Sequence, residues 1–139
     1  MKTKNLKLLI AIPFLAAIVT SCIGLEFAQS IQKVNVERES RGTHPVLNHP
    51  TLQAKAQGWA DTLAARGQLS HSNLASGAGA GWRALGENLA MAGSIQEAHS
   101  LLMGSSSHRS TMLSSRYSHI GVGVAYARGR YYVVQVFGG

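Results

Sequence analysis

Hydrophobic positions along this chain follow three patterns in succession: an unbroken run, a helical repeat and a two-residue alternation. Leu8 to Val19 is apolar and carries no charge. From Ile31 the positions Ile31, Val34, Asn35 and Arg38 fall at helical spacing and predict a first helix that ends near Gly42. Thr43 to Pro50 reads as a loop, because its two prolines and the residues before them resist helix. A second helix is predicted over Leu52–Arg66, with Thr51 as its N-cap and Gly67 at its end. Leu52, Ala56, Trp59, Ala60, Leu63 and Ala64 share one face of it and are assigned to the core. Gly58 inside that helix costs about 1 kcal/mol against alanine unless another element packs close to it.

Residues 72–86 are dominated by Ser, Ala and Gly and read as a loop. Leu85 to Met91 then reads as a turn into a short strand or helical turn. Ser94-Ile95-Gln96-Glu97 has capping-box spacing and opens a third helix that runs to about Met103. Gly104 to Ser107 breaks it, and His108 to Leu113 predicts one more helical turn. Ile120, Val122, Val124 and Tyr126 alternate with small residues, Arg128-Gly129 marks a turn, and Tyr131 to Phe137 is rich in β-branched and aromatic residues. That is an antiparallel hairpin. Helices first and strands late predict an α+β fold, with helices covering a small antiparallel sheet.

The first 21 residues read as an export signal. Lys2, Lys4 and Lys7 form a basic segment before the apolar run, and that run of about 12 residues is shorter than the roughly 20 a bilayer core requires. Cys22 is the lone cysteine, so no intramolecular disulfide can form. Val19-Thr20-Ser21-Cys22 resembles the bacterial lipobox, which implies lipidation of Cys22, cleavage before it and a membrane tether. The alternative is ordinary secretion, with a cut before Gln29 and Cys22 discarded. Residues 22–30 are then a tether and residues 31–139 a single domain. The formal net charge is +7, part of it in the signal lysines, and the arginines are scattered. No basic run or aromatic-basic interleaving points to nucleic acid.

Six histidines are candidates for chemistry. His44 and His49 flank prolines and are expected to be solvated, and His99 is expected on a helix surface. His71 and His108 each follow a helix end, from which an imidazole can reach into a cleft. Glu87 is the single acidic residue in an apolar stretch, and a buried carboxylate needs partners.

Taken in order, Asn35-x-x-Arg38, Gly42, Pro45-Val46-Leu47, Leu69-Ser70-His71, Gly86-Glu87-Asn88-Leu89-Ala90, Ser105-x-x-His108-Arg109, His119-Ile120-Gly121-Val122-Gly123-Val124 and Tyr132 to Phe137 resemble the CAP superfamily of SCP-like domains in its compact bacterial form. The resemblance spans residues 31–139 and implies a three-layer α-β-α sandwich with a central cleft. It implies a cleft cluster in which His71 and His108 match two family histidines and Glu87 a family glutamate. In some members those histidines bind zinc, which makes zinc the expected cofactor if a metal is held. A second family glutamate has no counterpart here: Leu102 replaces a tryptophan of the third helix, and Ser105 stands about where the glutamate would be. Asn88 and Arg109 are expected beside the cluster, one orienting the loop and the other offering charge to Glu87.

The expected function is a binding module for an envelope lipid, a cell-wall fragment or another extracellular ligand. The competing reading is a hydrolase in which Glu87 acts as general base on a metal-bound or histidine-held water. Serine chemistry from Ser105, Ser106 or Ser107 with His108 lacks a G-x-S-x-G elbow. A third reading is a surface interaction domain with no small ligand.

Overall fold

A computed structural model describes residues 14–139, with side chains from Gly24 onward. The basic segment at Lys2, Lys4 and Lys7, the start of the apolar run and the side chain of Cys22 lie outside the described residues. The first helix, α1, spans Phe14–Glu39. It therefore begins upstream of Ile31, and residues 22–30, expected as a tether, lie within it. Ser30 is buried and Phe27 packs on the core, which explains why helix persists there. Among the described residues no helix is long and apolar enough to cross a membrane.

A two-residue strand β1 (Leu47–Asn48) leads into α2 (Pro50–Arg66). The N-cap is His49 rather than Thr51, because Pro50 takes the first helical position, where its fixed φ suits the helix and its missing N–H is no loss. Gly67 ends α2 in the left-handed conformation, φ 74°, and returns its N–H to Leu63 O at 2.8 Å. Strand β2 is a full eight residues, Leu85–Ala92, followed by α3 (Ile95–Gly104) and α4 (Ser106–Leu113). The expected hairpin is β3 (His119–Ala127) and β4 (Arg130–Gly138).

The sheet order is β1-β3-β4-β2. The three long strands are antiparallel, while β1 joins β3 in parallel, so the sheet is mixed. Helix α2 covers one face over Leu89, Tyr132, Val134 and Val136. Helices α1, α3 and α4 cover the other, over Ala90, Val122, Val124, Val133 and Phe137. This is the α+β fold that the pattern predicts and the three-layer sandwich that the family resemblance implies.

Two details fix the layers. A Cβ on Gly121 would overlap the backbone of Leu52 and Gln53, and one on Gly123 the backbone of Ala56 and Gln57, so α2 lies directly on β3. At that distance Gln53 exchanges two hydrogen bonds with the backbone of Val122 (2.6 and 2.9 Å), and Gln57 does the same with Val124 (2.9 and 3.1 Å). On the other face Arg38 is fully buried and, among the described residues, forms no ion pair with a carboxylate. Its guanidinium donates to the carbonyls of His44 (2.8 Å), Met112 (2.8 Å), Ser114 (2.9 Å) and Tyr117 (3.0 Å), tying α1 to the end of α4 and the start of β3. Four aligned dipoles replace the water that a buried cation gives up.

Candidate functional site

Glu87 lies near the start of β2, the outer strand beside β4, and alternates with Leu85 and Leu89 on the α2 face. Its side chain is 3% exposed. Oε1 accepts from Nδ1 of His71 at 2.7 Å and from the Ser72 N–H at 2.9 Å, and Oε2 accepts from the Ser72 hydroxyl at 2.6 Å. An ionised carboxylate only accepts, so Nδ1 carries the proton and Nε2 of a neutral ring keeps its lone pair. The His71 side chain is 64% exposed, so that lone pair is open to solvent.

Two contacts from α2 hold this segment. Trp59 Nε1 donates to Ser70 O at 2.9 Å, immediately before His71. Lys55 Nζ donates to Ser72 Oγ at 3.1 Å and to the carbonyls of Asn73 at 2.9 Å and Ser76 at 2.8 Å. Burial pushes the Lys55 ammonium below its ordinary pKa, and the Glu87 charge pushes it back up. Ser72 thus passes a hydrogen-bond chain from the lysine to the glutamate. Neither Ser72 nor Lys55 was singled out by sequence, since their link to Glu87 spans three separate segments. Trp59, assigned to the core, is half-buried and braces this site.

Asn88, the next residue of β2, points to the opposite face. Its Nδ2 donates to His108 O at 3.0 Å and to Gln135 Oε1 at 3.3 Å, and Gln135 reaches Ser30 Oγ at 3.4 Å. A buried polar file therefore joins α4, β2, β4 and α1. The main chain of His108 is fixed by this file. Its half-buried ring makes no hydrogen bond or ion pair with His71 or Glu87 among the described residues. Of the three expected residues, His71 and Glu87 are joined, and His108 is carried by the helix on the other face of the same outer strand. Among the described residues no three His, Cys, Asp or Glu side chains form a group that would hold a metal ion. Arg109 does not face Glu87: its Nη1 donates to Met103 O at 2.8 Å and ties α4 to the end of α3. The balancing charge comes from Lys55.

Two of the remaining histidines differ from expectation. His99 is buried, because α3 turns Ile95, Ala98, His99 and Leu102 inward, and its Nε2 lies 3.5 Å from Glu37 Oε1. His49 is partly buried against the rings of Trp82 and His119, with centroids 5.0 and 5.5 Å away. His44 is exposed, as expected, but its Nε2 lies 3.1 Å from Tyr117 O.

The model of the Cysteine-rich secretory protein family, CAP, matches residues 31–137. The chain belongs to the CAP family. Solved structures similar to this CAP domain include an outer surface protein from Borrelia burgdorferi, with 15% identity, TM-score 0.74 and coverage of 81% of this chain and 91% of that one. An SCP-domain extracellular protein from Bacillus anthracis gives 18% identity and TM-score 0.75, covering 91% of this chain and 44% of that one. A cysteine-rich secretory protein from Staphylococcus aureus gives 21% identity and TM-score 0.65, covering 83% and 39%. The CAP domain thus spans under half the length of the last two, and at these identities the likeness speaks for the fold. No curated protein matches significantly. The family and these relatives are secretory, extracellular or surface proteins. In this CAP domain Ser105, standing about where a second glutamate is expected, ends α3 and starts α4, its carbonyl accepting from the Arg109 N–H at 2.8 Å.

Proposed function

We propose that this CAP domain is an exported binding module in which the Glu87–His71 pair presents Nε2 of His71 to an envelope or extracellular ligand. The observation that carries this reading is that Glu87, its side chain 3% exposed, already accepts two hydrogen bonds at Oε1 and one at Oε2, all from the His71–Ser72 segment. A general base must meet its water with a free lone pair, and this carboxylate is spent on holding a loop and aiming a ring. That favours binding over hydrolysis. Export by a leader over residues 1–21 and a lipid on Cys22 would place the domain at the membrane surface, where a lipid or a cell-wall fragment is within reach.

No group of three metal-holding side chains is assembled among the described residues, so a divalent ion such as zinc would rest on His71 and on a His108 that has to reach it from the other face of β2. An imidazole whose Nδ1–H is held by a carboxylate is the usual form of a metal-ligating histidine, and the ring of His108 has no competing hydrogen bond among the described residues. Glu87 would then support His71 rather than ligate. A bound ion would supply Lewis acidity toward a ligand oxygen.

A thermal-melt titration with zinc tests the pair. The expected result is a chelator-reversible rise in Tm that disappears in His71→Ala and in His108→Ala. A flat wild-type response removes the metal from the proposal, and an undiminished rise in His71→Ala removes the pair as its ligand.

A further inference from the structure

A groove of about 300 Å³ lies between α2 and the loop that follows Ser72, next to the His71–Glu87 pair. One wall is helix: Ala54, Gly58 and Trp59. The other is loop: Ser72, Asn73 and Ser76. Gly58 is the odd residue. It sits in the middle of α2, where glycine weakens a helix relative to alanine. Close packing normally explains such a glycine, as it does for Gly121 and Gly123, yet a Cβ on Gly58 would meet no atom within 4 Å. Packing therefore does not account for it. It is exposed on α2 and lines the groove, facing open space.

The two walls differ in chemistry. The indole N–H of Trp59 is committed to Ser70 O at 2.9 Å, which fixes the ring; the Arg66 guanidinium stands over it, 5.4 Å from its centroid, and the part of the ring that lines the groove offers carbon surface. The loop wall offers hydroxyls, amide and backbone groups, held in place by the three hydrogen bonds from Lys55. Those bonds occupy all three protons of the ammonium, so Lys55, which also lines the groove, has no donor left for a phosphate or carboxylate. The groups of the loop wall that have no hydrogen bond among the described residues are the Ser76 hydroxyl and the Asn73 side-chain N–H, and a purely apolar ligand would not use them. A neutral ring with a C–H face and a hydroxyl edge satisfies both walls.

We propose that this groove is a saccharide subsite, in which a neutral sugar ring lies across Gly58 against Trp59 and turns its hydroxyls toward the Ser72–Ser76 loop. The proposal rests on the reading of the His71–Glu87 pair as a binding centre, and it names the ligand class and the surface beside that centre.

The test is calorimetric titration of the protein with two neutral probes, tri-N-acetylglucosamine and cellotriose, using wild type, Gly58→Ala, Gly58→Leu and His71→Ala. Wild type is expected to bind at least one probe. Gly58→Leu fills the groove and is expected to weaken binding at least ten-fold, while both Gly58 variants raise Tm, since each improves helix propensity. Stabilisation combined with loss of binding is the signature of a glycine kept for a ligand. The proposal is overturned if wild type binds neither probe or if Gly58→Leu binds as wild type does. Zinc melts on the same variants separate the two readings. A zinc response retained in wild type without sugar binding sinks the groove alone, and sugar binding unchanged in His71→Ala detaches the groove from the pair.

Discussion

The pairs His71–Glu87 and His99–Glu37 use the same two side chains with opposite burial. In the first the carboxylate is 3% exposed and the imidazole 64%, and they meet at 2.7 Å. In the second the imidazole is 10% exposed and the carboxylate 27%, and they stand 3.5 Å apart. Glu87 is surrounded by donors, which makes it a rigid base for a ring that faces water. His99 is surrounded by helix, with Nδ1 buried and without a hydrogen-bond partner. Burial pushes its pKa down, against the pull of Glu37, and Lys33 adds to the depression. Burial raises the pKa of Glu37, but hydrogen bonds from Arg41 and His99 outweigh it and hold the group below the ordinary carboxylate value. One pair displays an imidazole, and the other stores one.

The largest effect expected from this contrast is at Glu87. Glu87→Ala leaves the Ser72 N–H, the Ser72 hydroxyl and the His71 ring without their acceptor and removes the charge opposite Lys55, and should cost about 3 kcal/mol in urea unfolding. A loss under 1 kcal/mol would show that the loop does not depend on the carboxylate. Next comes the acid limb of stability. The folded protein binds a proton at His99 less readily than the unfolded chain, whose ordinary value is 6.5. The contribution is therefore complete above that value and is lost as pH falls through the folded pKa. His99→Leu removes both this loss and an unsatisfied nitrogen, and should gain about 1 kcal/mol at pH 5 over wild type. Melts of both proteins from pH 8 to 5 check it, and parallel curves would refute the assignment. The smallest effect is at His71, where His71→Ala should change stability by no more than about 0.5 kcal/mol, since its ring is mostly solvated. A large loss there would make the displayed ring a structural one.

Much of the scaffold was legible because it rests on local periodicity. The α2 stripe, the glycine alternation of β3 and the hairpin turn all appear where their patterns place them. The Ser94 capping box forms too: Ser94 Oγ accepts from the Glu97 N–H at 3.1 Å, and the return bond from Glu97 goes to the Gly93 N–H at 2.7 Å. What pattern did not reveal depends on contacts between distant segments. His99 looked like a surface residue because its neighbours in sequence are mixed, and only the docking of α1 on α3 buries it. Glu87 was readable as a buried acid in search of partners, but Ser72 and Lys55 could be named only once the strand, loop and helix were assembled. Arg109 had the right charge for Glu87 and lies on the other side of the sheet.

The glutamines of α2 have a consequence beyond packing. Strand β1 pairs with β3 only at His119 and Ile120, so the rest of that margin would offer bare peptide groups to any extended chain nearby. Gln53 and Gln57 fill those valences at Val122 and Val124 with side-chain amides, imitating a missing neighbour strand. A molecule crowded among copies of itself is thereby denied a seam along which to zip, and it keeps that protection without a disulfide.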